Sequence, residues 1–212
     1  LRWPALAVVL IAAFGSSARA DGCQCAAARE MNGWCAVHAT GYIGGLEVKS
    51  AWLFETLDAH GHDLDLTTFT CPACRLAIAS DGYCDEHRIG FVKSKAYFSW
   101  LTYALAHGSR RRPAQIACAT CRSNAASHGW CDRDHVGMIG VVVFPDRSDF
   151  DRTVHALEIV MLANDAAKRC DYCAAAIVTD TECPICKIAY KDGKRVARQG
   201  PPPTLDGSAS RR

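Results

Sequence analysis

Thirteen cysteines and eight histidines in 212 residues could hold several metal ions, and their spacing shows how. The stretch from Cys71 to His87 reads CPACRLAIASDGYCDEH. Cys71 and Cys74 stand three apart, the separation a tight knuckle needs to turn two side chains onto one cation; Cys84 and His87 repeat it. The frame recurs in Cys118, Cys121, Cys131 and His135, and in Cys170, Cys173, Cys183 and Cys186. It recurs again in Cys25, Cys35 and His38, where Cys23 is the nearest candidate for the opening position and the first pair is C-x-C. These four sets use every cysteine and three of the histidines. Thiolates and imidazoles gathered in fours with C-x₂-C spacing are the donor chemistry of structural zinc. The expectation is three to four Zn²⁺ ions, with spacing alone also admitting iron at the all-cysteine set.

In the third set Asp134 stands where histidine falls in the others. Imidazole suits a thiolate-rich zinc site and carboxylate suits harder ions, so His135 is the expected ligand and Asp134 the alternative. His128, on the same segment, reads as a surface residue.

Other uses of the cysteines fit less well. An exported cysteine-rich chain normally forms a disulfide framework. Thirteen is odd, however, and a disulfide has no use for the histidine that closes three of the sets. Thiol–disulfide catalysis would leave Cys35, Cys84, Cys131 and Cys183 without a role. A catalytic zinc keeps one coordination position open, whereas each set supplies four protein ligands. There is no H-E-x-x-H and no G-x-S-x-G. The expectation is a non-enzymatic protein.

The second cysteines of the sets fall at 25, 74, 121 and 173, steps of 49, 47 and 52 residues. Such a period points to an array of small modules, and modules of that size need a staple because they bury little apolar surface. The expected boundaries are 21–66, 67–113, 114–169 and 170–197. The fold class is small metal-stapled α+β modules in tandem, each ligand hairpin followed by a strand and a helix, the last left bare. GYIGGLEV, RIGFVKSKAYF and VGMIGVVVF read as the strands, their glycines as turns releasing the chain from the metal. Helices are expected over 51–60 behind Ser50, over 95–106, and over 149–167 with Ser148 and Asp151 as a capping box. The aromatics of the middle helix, Tyr97, Phe98, Trp100 and Tyr103 among them, are expected to form a core between neighbouring modules. HGHDLD reads as a helix end and polar turn, and Arg110 to Arg112 as a solvated linker.

Residues 1–20 have the form of a secretory signal, with Arg2, an apolar run from Trp3 to Phe14, and Ala18-Arg19-Ala20 as the cleavage site. An exported location, periplasmic or secreted, follows, with no transmembrane span in the mature chain. Ala20-Asp21-Gly22 before Cys23 is a poor lipobox, so no lipid anchor is expected. The first twenty residues carry Arg2 and Arg19 and no acid, so beyond them 22 basic residues balance 22 acidic ones. A neutral chain has no general pull on nucleic acid, and none is expected as a partner. Residues 198–212, rich in Gly, Pro and Ser, read as a disordered tail.

The ligand segments resemble the short zinc-ribbon family, in which two C-x₂-C knuckles pinch a small β-hairpin around one zinc. Cys170, Cys173, Cys183 and Cys186 match its all-cysteine form, with Pro184 inside the second knuckle. Cys71, Cys74, Cys84 and His87 match with a closing histidine and carry Pro72. The resemblance covers the ligand segments alone and implies a fold element and a metal, not an activity. The expected function is an exported zinc-binding repeat protein offering surfaces to a protein partner. Metal buffering or delivery, and thiol redox, are the alternatives.

Overall fold

Alanine is the strongest helix former, and it recurs in the runs at each opening cysteine pair: CAAAREM, PACRLAIA, ATCRSNAAS and DYCAAAIVT. In the computed structural model, which describes residues 23–196, all four runs are α-helices. This corrects the ribbon expected there. The segment between ligand pairs is a helix that turns back into a short strand, not a hairpin.

The first segment runs α1 (Cys25–Met31), β1 (Trp34–Cys35), β2 (Thr40–Ile43), β3 (Leu46–Val48) and α2 (Ala51–Leu57). The second begins with β4 (His62–Asp63) and continues through α3 (Pro72–Ala79), β5 (Tyr83–Cys84), β6 (Ile89–Val92), β7 (Lys95–Tyr97) and α4 (Trp100–His107). The third runs β8 (Ser109–Arg110), α5 (Ala119–Ser127), β9 (Gly129–Cys131), β10 (Val136–Ile139), β11 (Val142–Phe144) and α6 (Arg147–Ala167). The fourth is α7 (Asp171–Thr179), β12 (Ala189–Lys191) and β13 (Lys194–Val196). The strands of each segment form their own antiparallel sheet. β4 adds an edge to the second sheet beside β7, and β8 adds one to the third beside β11. His62 and Asp63 are therefore an edge strand, and the run expected as helix from 95 starts as strand.

Each ligand helix is followed by a residue in the left-handed region: Asn32 (φ 54°), His128 (φ 56°) and Asp180 (φ 55°) as the C-cap itself, and Asp81 (φ 51°) one place beyond the Ser80 cap. Asn and Asp tolerate that conformation. The same side chains reach the tip of the following hairpin. Asn32, Asp81 and Asp180 accept from the backbone N–H of Gly44 (2.8 Å), Lys93 (2.9 Å) and Asp192 (2.8 Å). In the third segment His128 makes its bond to the backbone of Gly44 in the first segment instead.

Of the glycines expected as turns, Gly44, Gly45 and Gly140 do sit in hairpin turns with positive φ, whereas Gly41, Gly90 and Gly137 lie inside strands. Gly41, Gly90 and Gly137 pair across the sheet with Trp34, Tyr83 and Trp130, each the residue before a ligand cysteine. Onto each glycine the next helix lays an aromatic ring: Phe54, Tyr103 or Phe150. The two rings of each trio meet at 5.4, 5.3 and 5.7 Å. A Cβ at these glycines would fall 2.2, 2.2 and 2.1 Å from ring carbons. Replacing Gly137 by Ala should push Phe150 off its seat and cost about 1–3 kcal/mol, read from denaturant unfolding. Unchanged stability would show that the ring has room to move. The fourth segment has Glu182 opposite Ala189, and among the described residues no helix follows it to supply a ring.

The helices after the hairpins do not pack segment by segment. Ile43, Leu53 and Leu57 join Leu101 and Leu105, Ile139, Leu157 and Val160, and Ala174 and Ile177 in one buried cluster drawn from all four segments. At its centre α6, at 21 residues the longest helix among the described residues, contacts α2, α4, α7 and the hairpins of the first and third segments. Its cap is Asp146, whose side chain accepts from the Asp149 N–H (2.9 Å); the expected capping box gives way to it. Polar links cross the same seams. Trp100 donates to Thr153 (3.1 Å), and Asn164 accepts from the Lys49 N–H and donates to the Glu47 carbonyl. Arg152 pairs with Asp85 (2.8 Å) while lying 3.8 Å over the Trp100 ring. Of the aromatics expected as core between segments, Tyr97 and Tyr103 are buried in it and Trp100 packs against it half-buried, but Phe98, which precedes α4, is exposed. Among the described residues no helix is long and apolar enough to cross a membrane. The expected signal (1–20) and tail (198–212) lie outside the described residues.

Candidate metal centres

Local geometry brings each set of donors together from two directions. In the second, third and fourth segments the first cysteine is the helix N-cap, with extended backbone, and the second sits three residues on in the first turn. Residues at the N-cap and third helical position share a face, so Cys71 and Cys74, Cys118 and Cys121, and Cys170 and Cys173 point the same way. The third ligand ends the return strand (Cys35, Cys84, Cys131) or sits before the equivalent hairpin (Cys183). The fourth follows three residues later, on a knuckle closed by a left-handed residue: Ala39 (φ 44°), Arg88 (φ 55°), His135 (φ 51°) or Lys187 (φ 57°).

That register decides the third centre. The structure gathers Cys23, Cys25, Cys35 and His38; Cys71, Cys74, Cys84 and His87; and Cys170, Cys173, Cys183 and Cys186. In the third group it places Asp134, not His135, beside Cys118, Cys121 and Cys131. His135 occupies the left-handed position just after the ligand, the place of Ala39, Arg88 and Lys187, and is not part of the cluster. The choice of His135 on donor softness is corrected by backbone geometry. Asp134 Oδ2 lies 3.2 Å from Cys121 Sγ while Oδ1 accepts from Arg133 at 3.0 Å. One oxygen is thus free for a cation and the other is anchored by a guanidinium, a typical outer partner of a ligating carboxylate. Asp134→Ala should lower bound metal by one equivalent per chain relative to the unaltered protein, measured after gel filtration. His135→Ala should leave it unchanged. The reverse result would restore the histidine.

Within every group the donor atoms lie within 4.8 Å of one another. Cys118 and Cys131 sulfurs are 3.8 Å apart and Cys170 and Cys183 sulfurs 3.9 Å. His87 Nδ1 is 3.5 Å from Cys74 and 3.7 Å from Cys84; His38 Nδ1 is 3.1–3.6 Å from its three cysteines. Two thiolates bound at about 2.3 Å to one tetrahedral zinc stand roughly 3.8 Å apart. A disulfide would need about 2.05 Å, and all thirteen cysteines are free thiols. By its donor atoms and their spacing, each group could therefore hold a metal ion.

The thiols of a group are not alike. Burial pushes Cys74 and Cys173 up to about 12 and raises Cys121 as well. The third cysteine is held down. Hydrogen bonding by His38 brings Cys35 to about 6. At Cys84 and Cys183 burial opposes ionisation, yet the His87 side chain at one, and knuckle N–H groups at both, bring each to about 7. At Cys131 the N–H of Asp134 lowers the thiol. Asp134 itself is held down to about 2 by Arg133. In the second and fourth groups a cation entering at neutral pH must displace the proton of the buried second thiol, Cys74 or Cys173, while the third, Cys84 or Cys183, gives up its own far more readily.

Sequence reasoning missed Asp134 as the ligand of choice, although the constant three-residue step from the third to the fourth donor carried the signal. It also missed Glu86, whose carboxylate lies 3.5 Å from Cys71. Compared with models of known protein families, with curated proteins and with solved structures, the chain finds no match.

Proposed function

We propose that this is an exported, non-enzymatic repeat protein in which four metal ions, zinc by donor type, brace tandem α+β units into a scaffold for a protein partner. One observation carries the reading: each group closes on four protein donors, joining a helix start to a knuckle at the base of a hairpin. Such a sphere leaves no position for substrate or activated water, which is the arrangement of structural zinc. The recurrence of one element order about each group supports the tandem description. Exposed Trp52, its ring tilted at 49° and 5.7 Å from that of Tyr172 in another segment, gives the surface an aromatic contact of the kind that binds protein partners. Export rests on the N-terminal sequence.

Metal analysis of protein purified without added reductant tests the reading. Three to four zinc per chain, with thiols reactive only after denaturation in chelator, is the expected result. Six disulfides and no metal would overturn it.

A further inference from the structure

The four centres are built alike but not covered alike. In the second, third and fourth groups only the closing ligand is exposed, and the third group buries all three of its cysteines. In the first, Cys23 and His38 are both exposed and Cys25 is only half-buried, leaving Cys35 as the single buried donor. The cause is the C-x-C pair. α1 begins at Cys25, with Gln24 as its N-cap, so Cys23 lies outside the helix where Cys71, Cys118 and Cys170 cap theirs. The apolar cover is thin as well. Among the described residues Ala28, Cys35 and Tyr42 form the buried cluster at the first centre, whereas Ile116, Met138 and Val143 shield the third. Cys173 and Cys183 of the fourth centre sit in the shared core itself.

A second observation separates this centre from the stability of its own segment. Ile43, Val48, Leu53, Phe54 and Leu57 anchor the first segment in the shared core, and none of them belongs to the cluster at its metal centre. Asn164 ties the β3 end to α6 from outside as well. The hairpin and α2 can therefore stay docked while the centre opens.

We propose that the first centre is an exchange site, one that hands a soft or borderline divalent cation to an incoming chelating partner, while the other three hold theirs as staples. Zinc changes partners through a five-coordinate adduct, so an incoming donor needs a path to the ion. Two exposed ligands give it that path, and each can be displaced without unpacking a core. This rests on the metal-binding reading above and assigns one of its four sites a second role.

The test uses the full chain loaded with zinc, freed of excess metal and mixed with a chromophoric chelator. One equivalent should leave at least about tenfold faster than the other three, the scale on which outer-shell losses act on metal sites, with the far-ultraviolet circular dichroism retained. In Cys23→Ser the fast equivalent should disappear and the three slow ones remain; in Cys84→Ser a slow equivalent should be lost and the fast one kept. Four equivalents leaving in one phase, or a fast equivalent that persists in Cys23→Ser, would overturn the exchange role. A loaded chain with no bound zinc would instead overturn the metal reading, so the two failures are distinguishable.

Discussion

Removing all four metals in excess chelator is expected to abolish the near-ultraviolet circular dichroism of the whole described fold, not of one segment. A structural zinc contributes apparent folding free energy of about 10–16 kcal/mol, against a total stability of about 5–15 kcal/mol for an ordinary domain. The ligand cysteines are part of the interior: Cys35 and Cys183 are fully buried and Cys74, Cys84 and Cys131 nearly so. Without a cation each group leaves several sulfurs facing one another where apolar atoms would pack. At the fourth centre that disturbance begins inside the shared core, because Cys173 and Cys183 touch it directly. The measurement is circular dichroism during chelation under reducing conditions. A fully metal-free protein with its aromatic signal intact would show that packing alone holds the fold.

Truncating Leu157 to Ala is expected to cost about 2–5 kcal/mol and to loosen segments far from it in sequence. Leu157 is 2% exposed on α6, and its side chain reaches the hairpin tip of the first segment near Gly44. The cavity would open among Ile43, Leu105, Ile139 and Val160, which come from three segments. Amide exchange should therefore accelerate in β2–β3, α4 and α7 as well as in α6, and denaturant unfolding should remain one transition. Acceleration confined to the third segment would mean that the units fold as separate beads.

The donor groups were legible in the sequence because two spacings never vary: ten residues from second to third ligand, three from third to fourth. The same rule points to Asp134, and only the greater appeal of imidazole hid it. The helices between ligand pairs were hidden for a different reason. Runs such as CATCRSNAAS are as short as a hairpin, and their N-caps are cysteines, which no ordinary capping rule nominates. The turn Lys93-Ser94 was unreadable because both residues are left-handed without being Gly, Asn or Asp (φ 49° and 66°), so the strand it starts was taken for the beginning of α4. The glycine of each trio could have been found. An aromatic before the third cysteine, a glycine seven residues later and an aromatic thirteen beyond that recur as Trp34, Gly41 and Phe54, Tyr83, Gly90 and Tyr103, and Trp130, Gly137 and Phe150. The shared core was only partly visible, since a period near fifty says that units repeat and not that their helices merge.

Because β4 and β8 are laid against the sheets that follow them, the chain is stitched in one direction. A fragment that starts at residue 67, where the cysteine pattern alone would divide it, forfeits the border strand its neighbour had supplied; one that starts just after Asp58 retains it. Between α6 and Cys170 only two residues, Lys168 and Arg169, remain, so no such border strand can be handed to the final pair of strands. Anyone dissecting the protein into expressible pieces should cut by that overlap and not by the metal ligands.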